Sequence, residues 1–121
     1  MNLNPYILII TTRESQLKDF SDRLADNSGL TVSFADSFPA ALEKTAGMPP
    51  KMAVVDSTIG DGQYLDFIKN LLEKNAFIGT AVLSGLSDEE FHHVTEGLGI
   101  SMRLPVLPGK SEAEKLLSRI F

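Results

Sequence analysis

The alternation of five short apolar runs with five helical segments constrains the fold of this chain more than any other feature of its sequence. The apolar runs cover residues 6–10, 30–35, 52–55, 77–83 and 100–104, and their composition and length are typical of strands. Helical spacing or helix-start signals follow them over residues 14–25, 40–46, 65–74, from 87 to 97 or 99, and from 111 to the C-terminus. A strand–helix pattern repeated five times predicts an α/β protein with a parallel sheet.

Right-handed crossovers must place helices on both faces of such a sheet. We therefore expect a flavodoxin-like three-layer sandwich whose five strands run in the order 2-1-3-4-5. Ser87 with Glu90, and Ser111 with Glu114, have the spacing of capping boxes, so each pair predicts the start of a helix. No internal repeat or linker interrupts the sequence, which predicts a single domain over residues 1–121.

The composition disfavours several classes of function. The chain is 43% apolar and 22% charged, as expected of a folded domain. It has no cysteine, which excludes disulfides, thiolate zinc sites and a cysteine nucleophile. Its 16 acidic and 11 basic residues give a net charge of −5 without a basic run, which disfavours nucleic acid as a direct partner. No stretch has the pattern of a signal peptide or membrane span, so we expect a cytoplasmic protein without a membrane partner.

The residues at the ends of the strands are the first candidates for a functional site. Parallel sheets of this kind bind ligands outside the carboxyl ends of their strands. The side chains that follow strands one, three, four and five therefore define the predicted pocket. In chain order they are Thr11, Thr12, Asp56, Ser84, Leu104 and Pro105.

Three of these residues carry a resemblance to a known family. Asp56 ends strand three, Ser84 with Gly85 ends strand four, and Pro105 follows strand five. With five strand–helix units, this pattern resembles the receiver domains of bacterial two-component response regulators over essentially the whole chain. The resemblance implies that Asp56 is the phosphoacceptor, that a histidine kinase supplies the phosphoryl group, and that Ser84 is the hydroxyl that senses it.

Three positions depart from that family's pattern. Thr11 and Thr12 stand where the family has an acidic pair that helps to bind Mg²⁺, and Leu104 stands where it has a lysine that pairs with the phosphoryl group. Mg²⁺ prefers carboxylate and other oxygen ligands, so we expect it to bind weakly at Asp56 or not at all, and we expect no other cofactor. Arg103 is a poor substitute for the lysine, because neighbouring side chains on a strand point to opposite faces. The chain therefore resembles a degenerate, or pseudo-receiver, variant.

The same residues also have structural interpretations. Thr11 and Glu14 have the spacing of a capping box, so Thr11 and Thr12 are predicted to cap the first helix. Asp56 and Ser84 are residue types that are common in turns. These interpretations compete with the pocket assignments, and the sequence leaves both open.

The function implied by the resemblance is signal transduction through protein–protein contacts, and we expect no enzymatic activity and no catalytic residue. The implied partners are a histidine kinase, an output domain or protein, or a second copy of the chain. Phosphorylation of Asp56 is expected to be slow. The family's contact surface is formed by helix four, strand five and helix five, and its polar residues here are Glu89, Glu90, His92, His93, Arg103, Lys110, Glu112, Lys115 and Arg119. The adjacent pair His92 and His93 is predicted to be exposed rather than to bind a metal.

Two other classes of function can be compared with the sequence, a STAS domain and a small enzyme. Residues 56–60 read Asp-Ser-Thr-Ile-Gly and are similar to the phosphorylated region of anti-anti-sigma (STAS) domains, in which Ser57 would be the phosphoacceptor. An inserted residue before Gly60 weakens that motif, and strand order separates the two folds. A small enzyme has less support, since the glycine motifs that bind phosphates or form a nucleophile elbow are absent. Glu14 would also repel the phosphate of a flavin bound after strand one.

Overall fold

The computed structural model describes residues 5–26, 29–59 and 63–120. A single parallel sheet has the strand order β2-β1-β3-β4-β5, which confirms the predicted fold class and topology. Its strands are β1 (Tyr6–Ile10), β2 (Thr31–Ala35), β3 (Met52–Asp56), β4 (Gly79–Leu83) and β5 (Met102–Leu104). The helices are α1 (Lys18–Ala25), α2 (Phe38–Gly47), α3 (Tyr64–Lys74), α4 (Asp88–Val94) and α5 (Lys110–Ile120), and a 3₁₀ turn over Glu14–Leu17 precedes α1.

The two central strands position the rest of the molecule. All five residues of β1 and all five of β3 are buried, as expected for strands covered on both faces. Their parallel register pairs Ile7 with Met52 and Ile10 with Val55. This register brings the residues that follow β1 next to Asp56, the last residue of β3.

Alternate residues of the strands build a core on each face of the sheet. One cluster joins the sheet to α2, α3 and α4, and it includes Leu8, Ile10, Val55, Ala41, Phe67, Ile68, Leu71 and Phe91. The other joins the sheet to α1 and α5, and it includes Ile7, Ile9, Val54, Leu83, Leu104, Phe20, Leu24, Ala113 and Leu116. The helices therefore form two outer layers, as the sequence predicts.

One of the two predicted helix caps in the second half of the chain is present. Ser87 accepts a hydrogen bond from the backbone N–H of Glu90, and the Glu90 carboxylate accepts the backbone N–H of Ser87, so this capping box is confirmed. The predicted pair Ser111 and Glu114 is wrong. Helix α5 begins one residue earlier, and the Glu112 carboxylate accepts the backbone N–H of Gly109 at 2.7 Å.

Several predicted boundaries also move. Helix α4 ends at Val94 rather than at residue 97 or 99, and the Thr95 hydroxyl there donates to the carbonyl of Phe91. Strand β4 begins at Gly79 instead of residue 77, because the backbone N–H of Phe77 is used in a turn with the Asn75 side chain. Strand β5 begins two residues later than predicted. The predicted end of the first helix at residues 27–29, and the loop at residues 57–62, lie partly outside the described residues.

No helix within the described part of the chain is long and apolar enough to cross a membrane.

Candidate functional site

Asp56 lies at the carboxyl edge of the sheet, and 0% of its surface is exposed to solvent. Its Oδ2 atom accepts hydrogen bonds from the Thr11 hydroxyl at 2.7 Å and from Nε of Arg13 at 2.9 Å. Its Oδ1 atom accepts from the backbone N–H of Thr58 at 3.0 Å and from the Thr58 hydroxyl at 2.7 Å. An ionised carboxylate offers about four acceptor positions. The four donors therefore satisfy Asp56 completely.

These contacts hold Asp56 in its ionised form. Burial raises the pKa of Asp56, because it disfavours the charged carboxylate. The hydrogen bonds from Arg13, Thr58 and Thr11 act in the opposite direction and together outweigh burial, so the pKa lies below its ordinary value. Asp56 is thus a buried anion at neutral pH, neutralised by an arginine of the same chain.

Arg13 connects three parts of the carboxyl edge. Its Nε atom pairs with Asp56, and its Nη2 atom donates to the carbonyl of Val106 in the loop after β5 at 2.9 Å. Nη1 donates to the side chain of Gln16 at 3.3 Å. Because the Arg13 side chain is only 16% exposed, this cation is largely withdrawn from solvent. The guanidinium therefore joins the loop after β1, the end of β3 and the loop after β5.

The prediction that Thr11 and Thr12 cap the first helix is wrong. The helical segment begins with the 3₁₀ turn at Glu14, and no side chain caps it. The Thr11 hydroxyl instead donates to Asp56 and accepts the backbone N–H of Arg13 at 2.9 Å. Its only proton goes to the buried carboxylate, which keeps Thr11 in the site. Thr12 is exposed to solvent.

The other predicted pocket residues lie at the same edge of the sheet but do not hydrogen-bond Asp56. Ser84 is buried, and its hydroxyl accepts the backbone N–H of Leu86 at 3.2 Å, which is the turn role that its residue type predicts. Leu104 is 1% exposed and packs into the core cluster that joins the sheet to α1 and α5. Pro105 is exposed. The position of the family's lysine is therefore part of the apolar core here.

Arg103 does not take the place of that lysine. Its Nε atom pairs with Asp88 at 2.7 Å, and Nη1 donates to the carbonyl of Ser84 at 3.0 Å. Ser84 follows β4, and Asp88 is the first residue of α4. Arg103 therefore ties β5 to the loop after β4 and to the start of α4, as expected of a side chain that points away from its neighbour Leu104.

Mg²⁺ does not fit the described residues around Asp56. Within residues 5–26, 29–59 and 63–120, no three histidine, cysteine or acidic side chains form a cluster able to hold a metal ion. Both oxygens of Asp56 already accept two hydrogen bonds each, and the positive charge of Arg13 lies 2.9 Å from Oδ2. A second cation at the carboxylate would have to displace the guanidinium.

Arg13 and Thr58 supply three of the four donors to Asp56, and neither residue was predicted to belong to the site. A signal for Arg13 was present, because it is the first charged residue after β1, the strand beside β3. Thr58 lies two residues after Asp56, the spacing at which an aspartate side chain commonly accepts a backbone N–H in a turn. The Asp56 side chain accepts the N–H of Thr58 in this way, so the turn interpretation of Asp56 is confirmed.

Comparison with solved structures identifies the fold. CheY4 of Vibrio cholerae, a chemotaxis response regulator, is 18% identical and superposes with a TM-score of 0.83 over 98% of this chain and 100% of that chain. This chain has the CheY-like receiver fold. A two-component response regulator from Legionella pneumophila is 22% identical, with a TM-score of 0.80 over 96% of this chain and 97% of that one. A CheY-like receiver domain protein from Methanospirillum hungatei is 15% identical, with a TM-score of 0.81 over 98% and 94%.

At these identities the likeness concerns the fold alone. No protein-family model matches the chain, and no curated protein matches it in sequence. The receiver fold places Asp56 at the carboxyl edge of the central strand β3, but the donors that surround it are those of this chain.

Proposed function

We propose that the chain is a receiver-like module of two-component signalling that works through protein–protein contacts without Mg²⁺-dependent phosphorylation of Asp56. The observation that supports this most strongly is the ion pair between Arg13 and Asp56, in which Nε lies 2.9 Å from Oδ2. The Asp56 carboxylate accepts hydrogen bonds from four donors in total. Asp56 remains the candidate phosphoacceptor by position. The ion pair supplies from within the chain the positive charge that a metal ion would bring.

The chemistry of phosphoryl transfer supports the pseudo-receiver interpretation. A carboxylate attacks a phosphoryl donor through a free oxygen lone pair, and a hard cation must offset the repulsion between the two anions. In this chain the lone pairs of Asp56 accept hydrogen bonds, and its cation is a guanidinium that is also bonded to Val106. An attack by Asp56 would first require these bonds to break, so we expect phosphorylation to be too slow to leave a detectable adduct.

The partners in this proposal are proteins. We assign contact with a kinase, an output protein or a second copy to the surface formed by α4, β5 and α5, and we place the module in the cytoplasm. Four of the nine polar residues predicted for that surface already have hydrogen-bond partners in the fold, namely Glu90, Arg103, Glu112 and Arg119. His92 and His93 are exposed, as predicted. The module itself needs no catalytic residue for this role.

The STAS alternative is not favoured. The sheet is parallel throughout and has the receiver order β2-β1-β3-β4-β5. The hydroxyl of Ser57, the acceptor in that alternative, donates to the backbone carbonyl of Leu83 at 2.6 Å. Gly60 of the proposed motif lies outside the described residues.

A Mg²⁺ titration tests the metal part of the proposal. We expect no saturable change in the backbone amide spectrum of the wild-type protein at Asp56, Thr58 and Ser84 when Mg²⁺ is added. A variant that combines Thr11→Asp, Thr12→Asp and Arg13→Ala supplies two carboxylates and removes the competing cation, so it should gain a saturable response at these positions. Saturable Mg²⁺ binding at Asp56 in the wild-type protein would contradict the proposal.

A further inference from the structure

Phe77 is the most exposed large apolar side chain of the described residues, with 97% of its surface open to solvent. It lies in the turn between α3 and β4, where its backbone N–H is bonded to the side chain of Asn75. Exposing an aromatic side chain of this size forgoes the stabilisation that its burial would give. Among the described residues, the ring belongs to neither of the two core clusters.

A cleft of about 280 Å³ lies beside Phe77, and two cations line it. Lys51 and Arg119 are the charged residues of its wall, and none of the acidic side chains that the structure describes lines it. The rest of the lining consists of Met52, Gly79, Ser101 and Ile120. On a chain with a net charge of −5, this cleft is a positive site next to an exposed aromatic ring.

The two cations are available to a partner. Within the described residues neither Lys51 nor Arg119 forms a salt bridge, although Arg23 and Arg103 each do. The Arg119 guanidinium donates a long hydrogen bond of 3.4 Å to the carbonyl of Ser101. Lys51 and Arg119 are both exposed, so their charges can meet a carboxylate without a rearrangement of the core.

The cleft is also separate from the site around Asp56. Lys51 precedes β3, Gly79 is the first residue of β4, and Ser101 precedes β5. In a parallel sheet these positions lie at the amino edge, at the opposite end from the carboxyl edge that holds Asp56. Occupation of the cleft therefore leaves the Arg13 ion pair free, although the cleft shares Arg119 with the surface of α4, β5 and α5.

We infer that this cleft docks a segment of a partner protein that presents carboxylates on either side of an apolar side chain. The carboxylates pair with Lys51 and Arg119, and the apolar side chain packs against Phe77 and Ile120. Charge complementarity favours an acidic occupant, because the cleft is positive while the chain as a whole is acidic. The exposed ring adds the apolar contact that a simple anion would not use.

The test uses three blocked peptides with the sequences Glu-Leu-Glu, Gln-Leu-Gln and Lys-Leu-Lys, titrated into the whole chain while backbone amide shifts are recorded. We expect saturable shifts with the acidic peptide, confined to the cleft around Phe77 and Gly79. Phe77→Ser is expected to weaken this binding about tenfold, since the ring contact is lost. The double variant Lys51→Glu with Arg119→Glu is expected to weaken it by about tenfold as well.

Matched variants keep the test specific. Leu107→Ser removes an exposed apolar side chain elsewhere, and Lys18→Glu with Lys69→Glu reverses two exposed charges outside the cleft. Both should bind the acidic peptide as the wild-type protein does. Equal binding of the neutral peptide, or no saturable shift with the acidic one, would overturn the inference. Amide shifts in the cleft that depend on protein concentration in the absence of peptide would also overturn it. Binding to anionic vesicles that requires Phe77, without binding of the acidic peptide, would overturn it as well.

Discussion

Replacing Asp56 by alanine is expected to lower the free energy of unfolding by about 3 kcal/mol. The substitution removes a fully buried carboxylate and leaves Arg13 without its counter-ion. It also leaves the hydroxyls of Thr11 and Thr58 without their acceptor. Breaking a buried pair in this way costs about 3–5 kcal/mol, and the low end applies because the Arg13 side chain is 16% exposed and can turn toward water.

Urea denaturation at neutral pH measures this loss. The matched control is Asp22→Ala, which removes one partner of the exposed ion pair between Lys18 and Asp22. That variant should change the free energy of unfolding by less than about 1 kcal/mol. In a pocket where several carboxylates repel one another, removing one of them would instead raise the free energy of unfolding, because the repulsion is relieved. An Asp56→Ala protein as stable as the wild type, or more stable, would show that the ion pair does not stabilise the fold.

The second large effect concerns Arg13 and pH. The folded-state pKa of Asp56 is depressed, so its contribution to stability is fully present above the ordinary pKa of about 3.9 and is lost as the pH falls through the lower folded value. In Arg13→Ala the carboxylate is still buried but has lost its cation, so its pKa rises. The destabilisation caused by the substitution should therefore be small at acid pH and should grow as the pH approaches neutrality.

The sign of the effect follows from the cation that Arg13 places beside Asp56, because an opposite charge favours the ionised carboxylate. The difference in unfolding free energy between wild type and Arg13→Ala should thus be larger at neutral pH than in acid. Arg23→Ala, which breaks the more exposed pair with Glu114, is the control and should show little pH dependence. A pH-independent loss in Arg13→Ala would mean that the guanidinium contributes only through packing.

The fold could be predicted from the sequence because its signals are local and consistent. Buried strands such as Tyr6–Ile10 appear as continuous apolar runs, and the handedness of the crossovers leaves few arrangements for five strand–helix units. The boundaries were less predictable, since they depend on single hydrogen bonds. Helix α5 begins at Lys110 because Glu112, rather than Glu114, accepts a backbone N–H at its start.

The site was only partly predictable for a related reason. The position of Asp56 followed from the end of a buried strand, but its surroundings depend on contacts across the sheet. Thr11 has the same spacing to Glu14 whether it caps a helix or binds a carboxylate. Only the register of β1 against β3 decides which of these two roles the Thr11 hydroxyl has. Arg13 reaches Asp56 over 43 residues of sequence, a contact that no local pattern encodes. The absence of the acidic pair was visible in the sequence, whereas the ion pair between Arg13 and Asp56 was not.

Incubation of the protein with acetyl phosphate and Mg²⁺, followed by intact-mass analysis, tests directly whether Asp56 is phosphorylated. We predict no phosphoryl adduct on the wild-type chain, because Arg13, Thr11 and Thr58 occupy the oxygens of Asp56. Asp56→Asn serves as the control for any modification elsewhere. Stoichiometric, Mg²⁺-dependent phosphorylation that is lost in Asp56→Asn would contradict the account.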